Sequence, residues 1–187
     1  MTAELSPILT LDEFLKLPDL EASPAWEYIN RVAIQKAMPK TRHSLLQKRL
    51  ISTIDSHSES YTALPELRCT FGGRSIVPDI AVIAWNHLPL NDVGEVQDNF
   101  MMAPDWSIEI LSPNQAVTRV IDNLLHCLKH GCQLGWMVDP DDASIVVFLP
   151  QKEPDIYRGD RLLQLINGVD VSLTATQVFD WLKIGNR

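Results

Sequence analysis

The sequence predicts an α/β fold, a central mixed β-sheet flanked by helices, and three observations predict it. Two short apolar runs bounded by proline, Pro78-Asp79-Ile80-Ala81-Val82-Ile83-Ala84-Trp85 and Ala103-Pro104-Asp105-Trp106-Ser107-Ile108-Glu109-Ile110-Leu111-Ser112-Pro113, read as buried strands. Two other stretches carry one buried helical face each: Leu46, Leu50, Ile51 and Ile54 in the first, and Val117, Val120, Ile121, Leu124, Leu125 and Leu128 in the second. Strands and helices follow one another in mixed order, which is the pattern of a sheet with helices packed against it.

Each element has its own signal. Residues 9–17 read as a short helix with Thr10 as N-cap and Glu13 in capping-box register, closed by Pro18. Residues 26–34 alternate as one strand with Glu27 near its start, and a loop over 36–42 leads into a helix from His43 to about Ser58. Residues 61–71 and 74–85 read as two strands joined at Gly72-Gly73, with Pro78 marking an edge position or a bulge in the second. Residues 86–102 are an aperiodic loop, followed by a strand over 105–111. Ser112-Pro113 has the form of an N-cap and first residue of the next helix, which Gly131 ends. Residues 135–138 and 144–149 pair about a turn, weak strands lie around Ile156 and over 162–165, and a last helix spans about 175–182.

A chain of 187 residues and 21.1 kDa suits one domain over residues 1–187. No apolar run approaches the roughly 18 residues of a membrane span, and the first residues lack a basic-then-apolar leader, so a soluble cytoplasmic protein is expected. Cys69, Cys127 and Cys132 match neither a zinc pattern nor a disulfide framework and read as reduced core thiols. A formal charge of −8 opposes nonspecific coating of nucleic acid. From Arg31 to Ile54, however, there are six bases and no acid, which suits either a solvated helix face with its loop or the docking of one phosphate.

Asp79 and Glu109 are the residues on which chemistry could rest. Side chains alternate along a strand, so Asp79 shares its face with Ala81, and Glu109 shares its face with Ser107. On adjacent strands the two carboxylates could converge with the Ile110 carbonyl on one hard cation, with Glu27 as a further ligand. Gln115, Arg119 and Asn123, four residues apart on the following helix, would face that site and hold a water or the scissile phosphate. The plainer roles are a turn or cap for Asp79 and a capping or surface position for His43, whereas an acid in a run as apolar as that of Glu109 needs a partner. His126 and His130 lack the intervening glutamate of a zinc-protease motif, and Gly72-Gly73 lacks the lysine of a phosphate-binding loop.

Together with Gly135-Trp136-Met137-Val138-Asp139-Pro140 and Val178-Phe179-Asp180-Trp181-Leu182, these two acid-bearing runs resemble a large family of small endonucleases of the PD-(D/E)xK, restriction-endonuclease-like superfamily. The resemblance covers residues 9–182. It implies a restriction-endonuclease-like core and Mg²⁺- or Mn²⁺-dependent hydrolysis of DNA, with Asp79 and Glu109 as the motif acids, Glu27 as an acid on the early strand and His43 as the histidine opening the next helix. His43, Arg42 and Arg74 would bind substrate, and cutting both strands would call for two sites, as in a homodimer. The superfamily's lysine, two residues past the second acid, is Leu111 here. The family's alternative place on the following helix falls near Asn123, and Arg119, the nearby cation, can clamp phosphate but cannot act as a base. Arg31 stands where the family usually has glycine. A nuclease-derived DNA-binding or regulatory protein with lost or weak catalysis is the rival expectation.

Overall fold

The computed structural model describes residues 4–5, 9–113, 115–183 and 185. In chain order its elements are β1 (Glu4–Leu5), α1 (Leu11–Phe14), β2 (Trp26–Ile29), β3 (Val32–Gln35), α2 (Thr41–Ser56), β4 (Tyr61–Pro65), β5 (Cys69–Phe71), β6 (Arg74–Ile76) and β7 (Ile80–Ala84). They continue as β8 (Trp106–Ile110), α3 (Val117–Lys129), β9 (Leu134–Asp139), β10 (Ser144–Phe148), β11 (Asp155–Tyr157) and α4 (Ala175–Asp180). The central sheet has six strands in the order β11-β10-β9-β8-β7-β4. It is mixed because β8 and β9 run parallel, joined through α3, while its other pairs are antiparallel.

A second, five-stranded sheet in the order β1-β3-β2-β6-β5 packs beside it, and here the strands depart from their sequence outlines. The single strand expected over 26–34 is a hairpin, β2 and β3, because Asn30 (φ 52°) and Arg31 (φ 68°) both take the left-handed conformation of a tight two-residue turn. The strands expected over 61–71 and 74–85 are each broken, the first at Glu66 (φ 50°) and the second at Val77-Pro78. Their outer halves, β4 and β7, pair in the central sheet, and their inner halves, β5 and β6, pair in the second. Proline has no N–H for a ladder, so Pro78 falls where the chain passes between sheets. The turn at Gly72-Gly73 is present, and a Cβ on Gly72 would lie 2.3 Å from His130 Nε2.

Two smaller expectations also change. The helix after β8 starts at Val117 with Ala116 as its cap, since Gln115 Oε1 accepts a hydrogen bond from the Ser112 N–H at 3.0 Å and holds that stretch as a loop. Of the weak strand over 162–165, only Leu162 forms a bridge, to Thr174. The capping box of Thr10 and Glu13 is as expected.

Alternation along β7 and β8 sorts the core into two layers. Ile80, Val82, Trp106, Ile108 and Ile110 join Leu46, Leu50 and Ile54 of α2 and Val178 and Phe179 of α4. Ala81 and Ile83 point the other way and pack with Ile29, Ile34, Cys69 and Ile76 of the second sheet and with Cys127 of α3. Asp79 shares the parity of Ala81, so its side chain belongs to the layer between the sheets. The three cysteines are free and buried, and burial pushes each thiol pKa up. Among the described residues, no helix is long and apolar enough to cross a membrane.

Candidate active site

Strands β7 and β8 pair antiparallel with Ile80 opposite Ile108 and Ala81 opposite Ser107. One step further in that register, Asp79 stands opposite Glu109, at the separation where directly facing side chains touch. Ladder pairing stops there because Pro78 follows. The Ile110 N–H then donates to Asp79 Oδ2 at 2.7 Å, so the carboxylate continues the pairing that the backbone cannot. His43 Nε2, in the first turn of α2, lies 3.0 Å from the same oxygen, and Gln47 Nε2 donates to the Asp79 carbonyl at 2.7 Å.

The other Asp79 oxygen belongs to one of the six bases between Arg31 and Ile54, which the sequence does not single out. Lys36, just past the end of β3, places Nζ 2.7 Å from Asp79 Oδ1 and 3.7 Å from Glu109 Oε2. The same ammonium donates to the Val77 carbonyl, while the Val77 N–H donates to Glu27 Oε1 at 2.9 Å. Lys36 and Glu27 thus satisfy the peptide groups at the break between β6 and β7. Asn123 of α3 hydrogen-bonds to Glu27. Six elements contribute: β2 with Glu27, the end of β3 with Lys36, α2 with His43 and Gln47, the start of β7 with Asp79, β8 with Glu109, and α3 with Asn123.

The cluster is deeply buried, with Glu27 5%, Asp79 3%, Glu109 3% and His43 5% exposed. Burial would raise the Asp79 pKa, but Lys36 and the hydrogen bond from His43 outweigh it and hold this carboxyl well below the usual range. Burial dominates at Glu109, and repulsion from Asp79 and Glu27 adds to it, so its pKa is raised well above the ordinary value of 4.5 despite Lys36. Glu27 is raised too, by burial first. Burial opposes the charge on Lys36, yet Asp79, Glu109 and Glu27 together keep its pKa above the ordinary lysine value. Three acids against one ammonium leave surplus negative charge out of water, which calls for a proton or another cation.

A raised folded-state pKa at Glu109 means that the native state keeps its proton longer than the unfolded chain, so stability declines as pH rises from about 4.5 through the folded value. Without metal, Glu109→Gln is expected to melt a few degrees above the wild type at pH 8, with the gap closing toward pH 4.5. Thermal unfolding in chelator across that range measures it, and a gap independent of pH would contradict the electrostatic account.

The remaining sequence-selected residues are more dispersed. Gln115 caps the loop before α3. Arg119 lines a separate cavity with Asn30 and Asp122, between the β2–β3 hairpin and α3. Arg74 bridges Asp122 at 2.9 Å and Asn30 at 3.2 Å, and Arg42 pairs with Asp141 at 2.8 Å on the surface. Ile110 meets Asp79 through its N–H. Asp105, the other acid of the β8 segment, accepts from the Ala84 N–H at 2.8 Å and pins the strand start. Lys36 was legible in one respect: by strand parity it shares a face with Ile34, which packs in the same layer as Ala81.

A hard divalent cation suits the donor chemistry of Asp79, Glu109 and Glu27, which present oxygen alone and carry surplus negative charge. Among the described residues, no three His, Cys, Asp or Glu side chains form a ready ligand shell, and the carboxylates are gathered about Lys36 instead.

A six-stranded mixed sheet with facing acids on β7 and β8, and an α3 crossover behind them, defines a restriction-endonuclease-like α/β fold. The sequence model of the Uma2 family, described as "Putative restriction endonuclease", matches residues 11–177, and the chain belongs to that family. Among solved structures, a protein described as a putative nuclease belonging to DUF820, from Anabaena variabilis, is 46% identical. It superposes with a TM-score of 0.90 over 93% of this chain and 99% of its own. A comparison with curated protein sequences finds no match.

Proposed function

We propose that this protein is a divalent-metal-dependent endonuclease that hydrolyses DNA phosphodiester bonds. The observation that carries the reading is the pair of buried carboxylates, from separate strands, within 3.7 Å of one ammonium nitrogen. The descriptions of the family and of the Anabaena protein support the substrate class. Asp79, Glu109 and Glu27, with the Ile110 carbonyl, would hold Mg²⁺ or Mn²⁺. Such an ion, when bound, supplies an activated water and positive charge beside the phosphate.

The chain's own residues do the rest. Asp79 stays ionised because Lys36 and His43 oppose the effect of burial, and the Ile110 N–H fixes its orientation. A crevice of about 10 Å³ lined by Lys36, His43 and Asp79 has room for about one water. On the other side of His43, a cavity of about 180 Å³ is lined by Lys40, Thr41, Arg42, Ser112 and Pro113. The first turn of α2 has no side-chain cap, so its free N–H groups together with Lys40 and Arg42 suit a substrate phosphate. Arg42 would exchange its exposed bond to Asp141 for that contact. Arg74, Arg119 and Asn123 would contribute further polar contacts along the hairpin and α3, and cutting both strands would require two copies.

The burial of the acids favours one rival, a DNA-binding protein of nuclease descent without turnover. Incubation with supercoiled and single-stranded DNA in Mg²⁺ or Mn²⁺ decides between them. Cleavage that chelator abolishes is the expected result, whereas DNA binding without cleavage in either ion would select the rival.

A further inference from the structure

Both positions where the resemblance looks for a lysine are neutral in this chain, Leu111 after the second acid and Asn123 on α3. The cluster nevertheless contains an ammonium, delivered from the opposite sheet. We infer that Lys36 is the positioning cation of the acid pair and that it sets the site's affinity for a divalent metal ion. The inference rests on the reading of Asp79 and Glu109 as ligands of such an ion.

The geometry gives Lys36 this role in two ways. Its nitrogen meets both acids, at 2.7 Å from Asp79 Oδ1 and 3.7 Å from Glu109 Oε2. Without it, two carboxylates facing each other across β7 and β8, with Glu27 behind them, would repel in a region shielded from water. Lys36 therefore keeps them convergent when no metal is bound. It is also held from two further directions: its Nζ by the Val77 carbonyl, and its backbone N–H by the Ala25 carbonyl at 2.9 Å. A divalent ion taking oxygens from Asp79 and Glu109 must share them with this charge, so the ammonium weakens metal binding while it shapes the site. A plain structural ion pair, tying the hairpin to the central sheet, would have no such effect on metal affinity.

The test is calorimetric titration of the full-length protein with Mn²⁺ in the absence of DNA. Lys36→Gln, which keeps a donor for Asp79 but loses the charge, is expected to bind Mn²⁺ at least tenfold more tightly than the wild type. Lys36→Arg is expected to stay close to the wild-type value. Should Lys36→Gln fail to fold without metal, the same ratio is read on Lys36→Gln folded in Mn²⁺ and titrated with a competing chelator, and failure to fold at any Mn²⁺ concentration overturns the inference. Mn²⁺ affinity unchanged or weakened by the loss of the charge overturns the inference, even if the wild type cleaves DNA. Tighter Mn²⁺ binding in a protein that never cleaves supports it and instead removes the nuclease reading.

Discussion

Asp79→Asn is expected to lower metal-dependent DNA cleavage by more than about 100-fold, the upper end of the loss that follows removal of a ligand's supporting partner. The substitution is nearly isosteric. Its amide oxygen can still accept from the Ile110 N–H, which Asp79 Oδ2 does at 2.7 Å, so the junction of β7 and β8 keeps its shape, while the NH₂ in the Oδ1 place loses the bond from Lys36 and costs some stability. The charge is what disappears, and Asp79 is the acid of the three whose surroundings hold it firmly ionised. Lys36 retains Glu109 and Glu27 as partners, so the variant should remain folded. Initial rates on supercoiled DNA, read beside thermal unfolding of the same preparation, separate the two effects. A folded variant that cleaves as fast as the wild type would remove Asp79 from the chemistry.

Trp106→Ala is expected to cost about 3–5 kcal/mol of stability, the range for truncating a large buried aromatic side chain. Trp106 is fully buried on β8 and packs edge-to-face on Trp136 of the neighbouring parallel strand, with ring centroids 4.7 Å apart and an interplanar angle of 74°. Both rings lie in the layer beneath α2 and α4, on the face of the sheet opposite the acids. Loss of the Trp106 ring opens a void that a backbone held in six-stranded pairing cannot close. Glu109 is three residues along the same strand, so activity should fall with the folded fraction and recover on cooling. Denaturant unfolding monitored by circular dichroism gives the number, and a loss below about 1 kcal/mol would mean that the core collapses around the gap.

Much of the central sheet could be read from residue order, because its strands and helices carry strong local periodicity. The apolar runs through Ile80–Ala84 and Trp106–Ile110, and the helical stripe of Val117–Lys129, depend on side chains a few positions apart. The second sheet could not be read so well. Its strands arise where backbone conformation reverses, at Asn30-Arg31, at Glu66 and at Val77-Pro78, and among these residues only the proline and, more weakly, Asn30 signal a break by their own chemistry. The site followed the same division. Asp79 and Glu109 stand out as acids within apolar runs, whereas Lys36 lies in a stretch of scattered bases and becomes part of the cluster only through the hairpin that brings it 43 positions along the sequence to Asp79. Long-range pairing of that kind leaves no local pattern. Strand parity with Ile34 was the one available hint.

The most direct test of the account is a crystal structure with Mn²⁺, in which anomalous scattering locates the ion. The account predicts a single strong peak within about 2 Å of a carboxylate oxygen from both Asp79 and Glu109. An ion bound elsewhere at saturating Mn²⁺, with both carboxylates still closed on Lys36, would contradict it.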